Sequence, residues 1–346
     1  MNKICIFIML VILTAPITIS NAAASDYAMY LKRFNSISTI SEAKEAGYEI
    51  VGIITDYFMT ACINGECTVY TAVNRQYGRA AIFFIHANGD VLYKTEDLEC
   101  NYFFGDSLYQ PNADIAAISE RDINGDGMND ILLISICLVN GNKFKIGDIL
   151  FQGKDSFYRD WRISDKINRF GMNMDIGMIT AFARDGQSTE FLYRTSDFAE
   201  LVKGGFEPLT DQTFEMDYEK FGSVKAIPGT YTMGGHHIFM LYLINREGQV
   251  VWNFQCMRGY DNFSKMTGIS FKDIDGDGWA DLSVLADYMT LDDNSATYAV
   301  TDFFIYYQRD GYFFEDKDFH ASYFKDMTDK EDMEGIILAA RKYWGW

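Results

Sequence analysis

Short apolar runs separated by turn-forming residues extend through the whole chain. Ile82–Ile85, Val91–Tyr93, Ile131–Ile136, Phe239–Ile244, Leu282–Ala286 and Phe303–Tyr307 are rich in Ile, Val, Phe and Tyr and are bounded by Gly, Asn and Asp. That pattern predicts β-strands joined by tight turns. Ile131-Leu132-Leu133-Ile134 is continuously apolar instead of alternating, which predicts a strand covered on both faces. Helical spacing is rarer. Asp175–Arg184 and Lys330–Tyr343 place apolar residues at helical intervals between an acidic start and a basic end, as the helix dipole favours. A further short helix is expected from Ser41 as N-cap to near Gly47.

The pattern occurs twice. Ile82-Phe83-Phe84-Ile85 with Gly89-Asp90-Val91 matches Phe239-Met240-Leu241-Tyr242 with Gly248-Gln249-Val250. Asp122-Ile123-Asn124-Gly125-Asp126-Gly127 matches Asp273-Ile274-Asp275-Gly276-Asp277-Gly278, Phe151-Gln152 matches Tyr307-Gln308, and Asp175–Arg184 matches Asp332–Arg341. The order is kept and the offsets lie between 151 and 159 residues, a length suited to one unit each. We expect a mainly β fold of two tandem homologous antiparallel units built of hairpins, each closed by a short helix. Residues 25–190 form the first and 191–346 the second, the boundary falling between Gly186 and Gly205. An irregular β-propeller is the alternative.

The repeated acidic segments carry the chemistry. Asp122, Asn124, Asp126 and Asp130 stand at alternate or turn positions around Gly127, and Asp273, Asp275, Asp277 and Asp281 stand likewise around Gly278. Oxygen side chains on such a turn can converge on one hard cation, and calcium takes six to eight oxygens in irregular geometry at about 2.3–2.6 Å. Backbone carbonyls of Met128 and Trp279 are the expected additional ligands. Magnesium, which keeps more of its water and demands octahedral geometry, fits less well. A metal-free acidic turn is the plain alternative. Leu133 and Val284 stand where an EF-hand places its closing Glu, and strand-like residues follow, so an EF-hand is disfavoured.

Both segments resemble the calcium loops of FG-GAP/VCBS repeats, which occur in integrin-like β-propellers and in many exported bacterial proteins. The likeness is confined to the loops and the strand edges beside them. It implies a calcium-braced loop in a β context and no particular activity. The loops lie 151 residues apart, farther than successive propeller blades would set them. Some periplasmic proteins with related loops inhibit cell-wall glycosidases, so by analogy alone a basic enzyme is one kind of partner.

Charge and composition narrow the classes. With 49 acidic against 30 basic residues the formal charge is −19, which argues against nucleic-acid binding and suits a cation or a basic partner. A hydrophobic content of 48% excludes a disordered chain. Lys3, the apolar run Ile4–Ile19 and the small residues of Ser20-Asn21-Ala22 or Ala22-Ala23-Ala24 read as a signal peptide over residues 1–24, an uncleaved anchor being the alternative. The mature chain is then secreted or periplasmic, with no transmembrane segment. In that compartment Cys62 and Cys67, flanking a predicted two-residue turn at Asn64-Gly65, are expected to form a disulfide. Cys100, Cys137 and Cys256 lie in apolar runs and read as buried free thiols.

Catalytic signals are weak. Ser41-Glu42-Ala43-Lys44 fits a serine-acylase spacing but stands without the partner motifs. Gly234-Gly235-His236-His237 reads as a turn and strand start. Tyr102, Phe103, Phe104, Trp161, Trp252 and Tyr306 could line a sugar surface or fill a core. No catalytic residue and no organic cofactor are assigned. The expected function is a calcium-binding, non-catalytic module for a macromolecule of the cell envelope or its surroundings, a basic protein or a glycan. The alternative is an exported hydrolase of polysaccharide or peptidoglycan with structural calcium.

Overall fold

The computed structural model describes residues 21–61, 63–101, 103–104, 107–108, 110–139, 142–255, 262–291, 297–325, 327 and 332–345. The expected signal segment before residue 21, Cys62, Tyr102 and Cys256 lie outside them. Two helices come first among the described residues, α1 (Asn21–Ser36) and α2 (Ile40–Glu45). An antiparallel meander follows, β1 (Tyr48–Met59), β2 (Gly65–Asn74), β3 (Arg79–Ile85) and β4 (Val91–Thr95), then a second, β5 (Gln110–Arg121), β6 (Asp130–Val139), β7 (Asn142–Gln152) and β8 (Phe157–Tyr158). Helices α3 (Trp161–Arg169) and α4 (Ile176–Ala183) close this half.

The second half runs through the same series. After α5 (Glu190–Arg194) and α6 (Phe198–Lys203) come β9 (Phe214–Tyr218), β10 (Gly222–Met233), β11 (His236–Ile244) and β12 (Val250–Gln255), with Glu207–Pro208 adding to the β10 edge. Then come β13 (Asn262–Lys272), β14 (Asp281–Leu291), β15 (Thr297–Arg309) and β16 (Tyr312–Glu315), and finally α7 (Lys317–Tyr323) and α8 (Met333–Trp344). The halves correspond down to single bonds. Ile40 N–H donates to the Gly89 carbonyl at 3.1 Å, and Phe198 N–H donates to the Gly248 carbonyl at 3.0 Å.

Each pair of sheets encloses an apolar core. Tyr57, Val69, Ile82 and Phe84 of the first sheet meet Ile131, Leu133, Ile146 and Leu150 of the second. Phe239, Leu241 and Phe254 meet Leu282, Val284 and Phe304 in the same way. The opposite sheet faces are covered by helices. Leu132 and Ile134, the alternate residues of the continuous run on β6, pack with Ile167 of α3 and Ile179 of α4. The expectation of a doubly covered strand therefore holds, and the period of two sends neighbours to different cores. The sheets are open, and helices fill the places beside each pair.

The halves share a helix. One side of α4 packs on β6 and β7 through Ile176 and Ile179, while Met178 and Ala181 pack against Met233, Ile238 and Met240 of the second half. A Cβ on Gly234 would lie 2.8 Å from the Met178 nitrogen, and the Gly234 φ is +57°. Glycine is thus required there both for the turn and for the close approach.

Two local expectations are corrected. The cap of α2 is Thr39, whose hydroxyl accepts from Glu42 N–H at 3.2 Å while Glu42 accepts from Ser38 N–H at 2.7 Å. Ser41 lies inside the helix, because this pair satisfies the free amides with the cap two residues earlier. The β1–β2 hairpin is wider than a two-residue turn, since Met59 pairs with Gly65 and Cys67 stands opposite Tyr57. Cys67 is a buried free thiol, so the expected Cys62–Cys67 bridge is not formed. Cys100 and Cys137 are buried free thiols as expected.

Candidate metal centre

Each acidic loop connects the first two strands of a second sheet, β5 to β6 and β13 to β14. The turn is forced by paired left-handed glycines, Gly125 and Gly127 at φ +76° and +84°, Gly276 and Gly278 at +82° and +85°. Open space surrounds Gly127 and Gly278, so backbone conformation and not crowding requires glycine there.

The side chains knit each loop in one scheme. Asp122 accepts from Gly125 N–H at 2.7 Å and from Gly127 N–H at 3.0 Å. Asp273 accepts from Gly276 and Gly278 at 2.8 and 3.0 Å. Asn124 accepts from Asp126 N–H at 3.0 Å, and Asp275 from Asp277 N–H at 3.3 Å. Met128 and Trp279 donate their N–H groups to Asp126 and Asp277, both at 2.8 Å.

The ninth residue anchors the loop to the sheet. Asp130 is fully buried and accepts from Ile123 N–H at 3.0 Å and Gln152 N–H at 2.9 Å. Asp281, equally buried, accepts from Ile274 and Gln308, both at 2.8 Å. The two glutamines extend the clamp. Gln152 donates to the Asn129 carbonyl at 3.0 Å and Gln308 to the Ala280 carbonyl at 3.1 Å. Each loop is thereby tied to the third strand of its sheet.

Burial, with repulsion from Asp126 and Asp122, holds the Asp130 carboxyl above its usual range against the lowering effect of its two amide donors. Burial and the nearby Asp275 and Asp277 push Asp281 up to about 7. A cation at either site would relieve that cost.

The loops differ in how their acids converge. Ligand atoms of Asp273, Asp275 and Asp281 lie within 4.8 Å of one another. Among the described residues this is the one such set of three or more acidic, histidine or cysteine side chains. In the first loop an amide, Asn124, holds the place of Asp275 and donates to Asp126 at 3.0 Å. Asp122, Asp126 and Asp130 do not meet as a carboxylate triad. The oxygen donors and their irregular, glycine-turned spacing fit a hard cation better than a soft one.

Other candidates resolve into structure. Ser41 and Lys44 belong to α2. His236 starts β11 and pairs with Asp175, the cap of α4, at 2.9 Å. Trp252 and Tyr306 pack in the second core, whereas Trp161 is 62% exposed. An open groove of about 540 Å³ is lined by Glu190, Phe191, Arg194, Asp197 and Glu200 among others. Two of its acids are engaged, Glu190 with Lys166 at 2.7 Å and Asp197 with the amides of Ala199 and Glu200.

One buried network went unread in the sequence. Asp148 on β7 accepts from Glu99 N–H at 2.8 Å and from the Ser164 hydroxyl, and it lies 3.9 Å from Arg159. Burial pushes its carboxyl up to about 7, opposed by Arg159. On β15 another buried acid, Asp302, two residues out of step with Asp148 in the repeat, pairs with His320 of α7 at 2.6 Å. An acid inside an apolar strand run is the available signal, but its partners are remote in sequence. Comparison with protein-family models gives no match, and comparison with curated proteins gives none either.

Proposed function

We propose that this chain is an exported β protein whose acidic turns take calcium, and that it acts as a non-catalytic binding module for a macromolecule of the cell envelope or its surroundings. The supporting observation is the repetition of one loop scheme at matched positions, with a buried aspartate in each and converging carboxylates at Asp273, Asp275 and Asp281. Calcium would stiffen the loops where they join three strands each and leave the sheet faces as the scaffold. On this reading the loops are relatives of FG-GAP/VCBS calcium loops set in a layered fold. Met128 and Trp279 would add backbone carbonyls. The formal charge of −19 favours a basic partner. Among the described residues no helix is long and apolar enough to cross a membrane.

The hydrolase alternative gains no support from a particular feature. Asp148, whose carboxyl is raised, is enclosed in a hydrogen-bonded network, and of the groove acids Glu190 is paired and Asp197 caps α6. Pull-down of the mature protein from envelope extracts tests the binding reading. A basic protein or glycan retained in calcium and released by chelator supports it. Hydrolysis of purified cell-wall polysaccharide by the protein, abolished by substitution of a groove acid, would replace it.

A further inference from the structure

The two loops balance charge by different means, and one residue makes the difference. Arg309 at the end of β15 reaches into the second loop, its guanidinium 2.7 Å from Asp275 Oδ2 and 3.2 Å from Asp277 Oδ2. The Asp275 side chain is only 5% exposed and that of Arg309 24%, so the contact is shielded from solvent. In the first loop the residue after the clamping glutamine is Gly153, where the second has Arg309 after Gln308. The first loop also carries Asn124 where the second carries Asp275. The extra carboxylate and the arginine therefore occur together. Three carboxylates in the first loop, and four with the Arg309 guanidinium in the second, give each a formal charge of −3; Glu219 and Arg341, bonded to the Ala280 N–H and the Asp273 carbonyl of the second loop, add one charge of each sign.

We propose that Arg309 is the built-in counter-ion of the second loop. It holds the loop's acids together when no divalent ion is present, and it lowers the loop's affinity for one, because an entering cation must share Asp275 and Asp277 with the guanidinium. The affinity half rests on the calcium reading above; the counter-ion half does not. The physical basis is that like charges in a shielded turn repel, and a fixed positive group relieves them and opposes a second cation.

The test uses the full mature protein and a probe selective for the second loop. Trp279 lies in that loop while Met128 holds its place in the first, so terbium luminescence excited through tryptophan reports the second loop. Calcium affinity is read by displacement of terbium. In chelator we expect Arg309→Gln to lower Tm by about 3 °C, with Arg309→Lys close to wild type and Asp275→Asn/Arg309→Gln restored. In calcium we expect Arg309→Gln to tighten the second loop about tenfold. An unchanged Tm for Arg309→Gln in chelator, or a double variant no better than the single, overturns the counter-ion. Weaker calcium binding by Arg309→Gln overturns the affinity half and makes Arg309 an organiser of the ligands. If neither terbium nor calcium binds the wild type, the calcium reading fails, and the chelator melts alone decide the counter-ion.

Discussion

Replacing Asp281 by Asn separates what the buried acid does for the backbone from what it does for a cation. Asp281 accepts two backbone N–H groups at 2.8 Å each, from Ile274 and Gln308. Asparagine offers one acceptor oxygen and one donor NH₂, so one of those buried amides would face another donor. Orphaning a buried N–H costs about 1–3 kcal/mol. Relief of repulsion from Asp275 and Asp277 offsets part of this, and we expect a net loss of about 2 kcal/mol in chelator. With calcium at a hundred times its dissociation constant, the wild type gains a further ~2.7 kcal/mol that the variant largely forgoes. Urea unfolding of both proteins at neutral pH, in chelator and in calcium, should give a loss roughly twice as large in calcium. Equal losses in the two conditions would refute the cation linkage. No loss in chelator would refute the bracing of the strands by this carboxylate. Asp130→Asn should behave in the same way if the halves are built alike.

Four further outcomes are expected. Gly278→Ala places a side chain at φ +85° with open space around it, so strain alone should cost about 1 kcal/mol, read by thermal melting. Gly234→Ala drives a methyl into the Met178 backbone and should both destabilise the protein and raise proteolysis between residues 184 and 190, seen by mass spectrometry of the fragments. The Asp148 carboxyl is raised to about 7 in the folded chain, so its stabilising contribution is full below its unfolded value of about 4 and is lost as pH rises towards 7. Relative to wild type, Asp148→Asn should therefore gain stability across that interval, by at most ~4 kcal/mol, in urea melts at several pH values. Cys67, Cys100 and Cys137 are buried free thiols and should resist alkylation until the protein is unfolded; rapid labelling of the native protein would contradict their burial.

What the sequence made legible was whatever rests on local pattern. The continuous run at Ile131–Ile134 announced a strand between two apolar layers, and β6 contributes alternate residues to each. Asp175 and Asp332 read as helix starts and cap α4 and α8 through the amides of Met178 and Gly335. The loops were legible because glycine spacing and acid spacing act within nine residues. Long-range features were not. The repeat pairs Gln152 with Gln308, but nothing local shows that they or Arg309 reach the loops from the third strand of each sheet. The helices α5, α6 and α7, of five to seven residues, are too short for an apolar period to separate them from turns, and the amphipathic face of α3 went unread beside its many polar residues. The β1–β2 hairpin misled because Asn64-Gly65 imitates a two-residue turn, while the register places Gly65 already in the strand opposite Met59. Sharing of α4 between the halves likewise depends on Gly234, which by sequence is only a turn residue.

The most direct measurement is a crystal structure of the mature protein grown with millimolar calcium. We predict an ion in each loop, bound by oxygens of Asp122, Asn124, Asp126 and Asp130 with the Met128 carbonyl in the first, and of Asp273, Asp275, Asp277 and Asp281 with the Trp279 carbonyl in the second, at about 2.3–2.6 Å. Ion-free loops under those conditions, with the acids still bonded only to backbone amides and Arg309, would contradict the central claim.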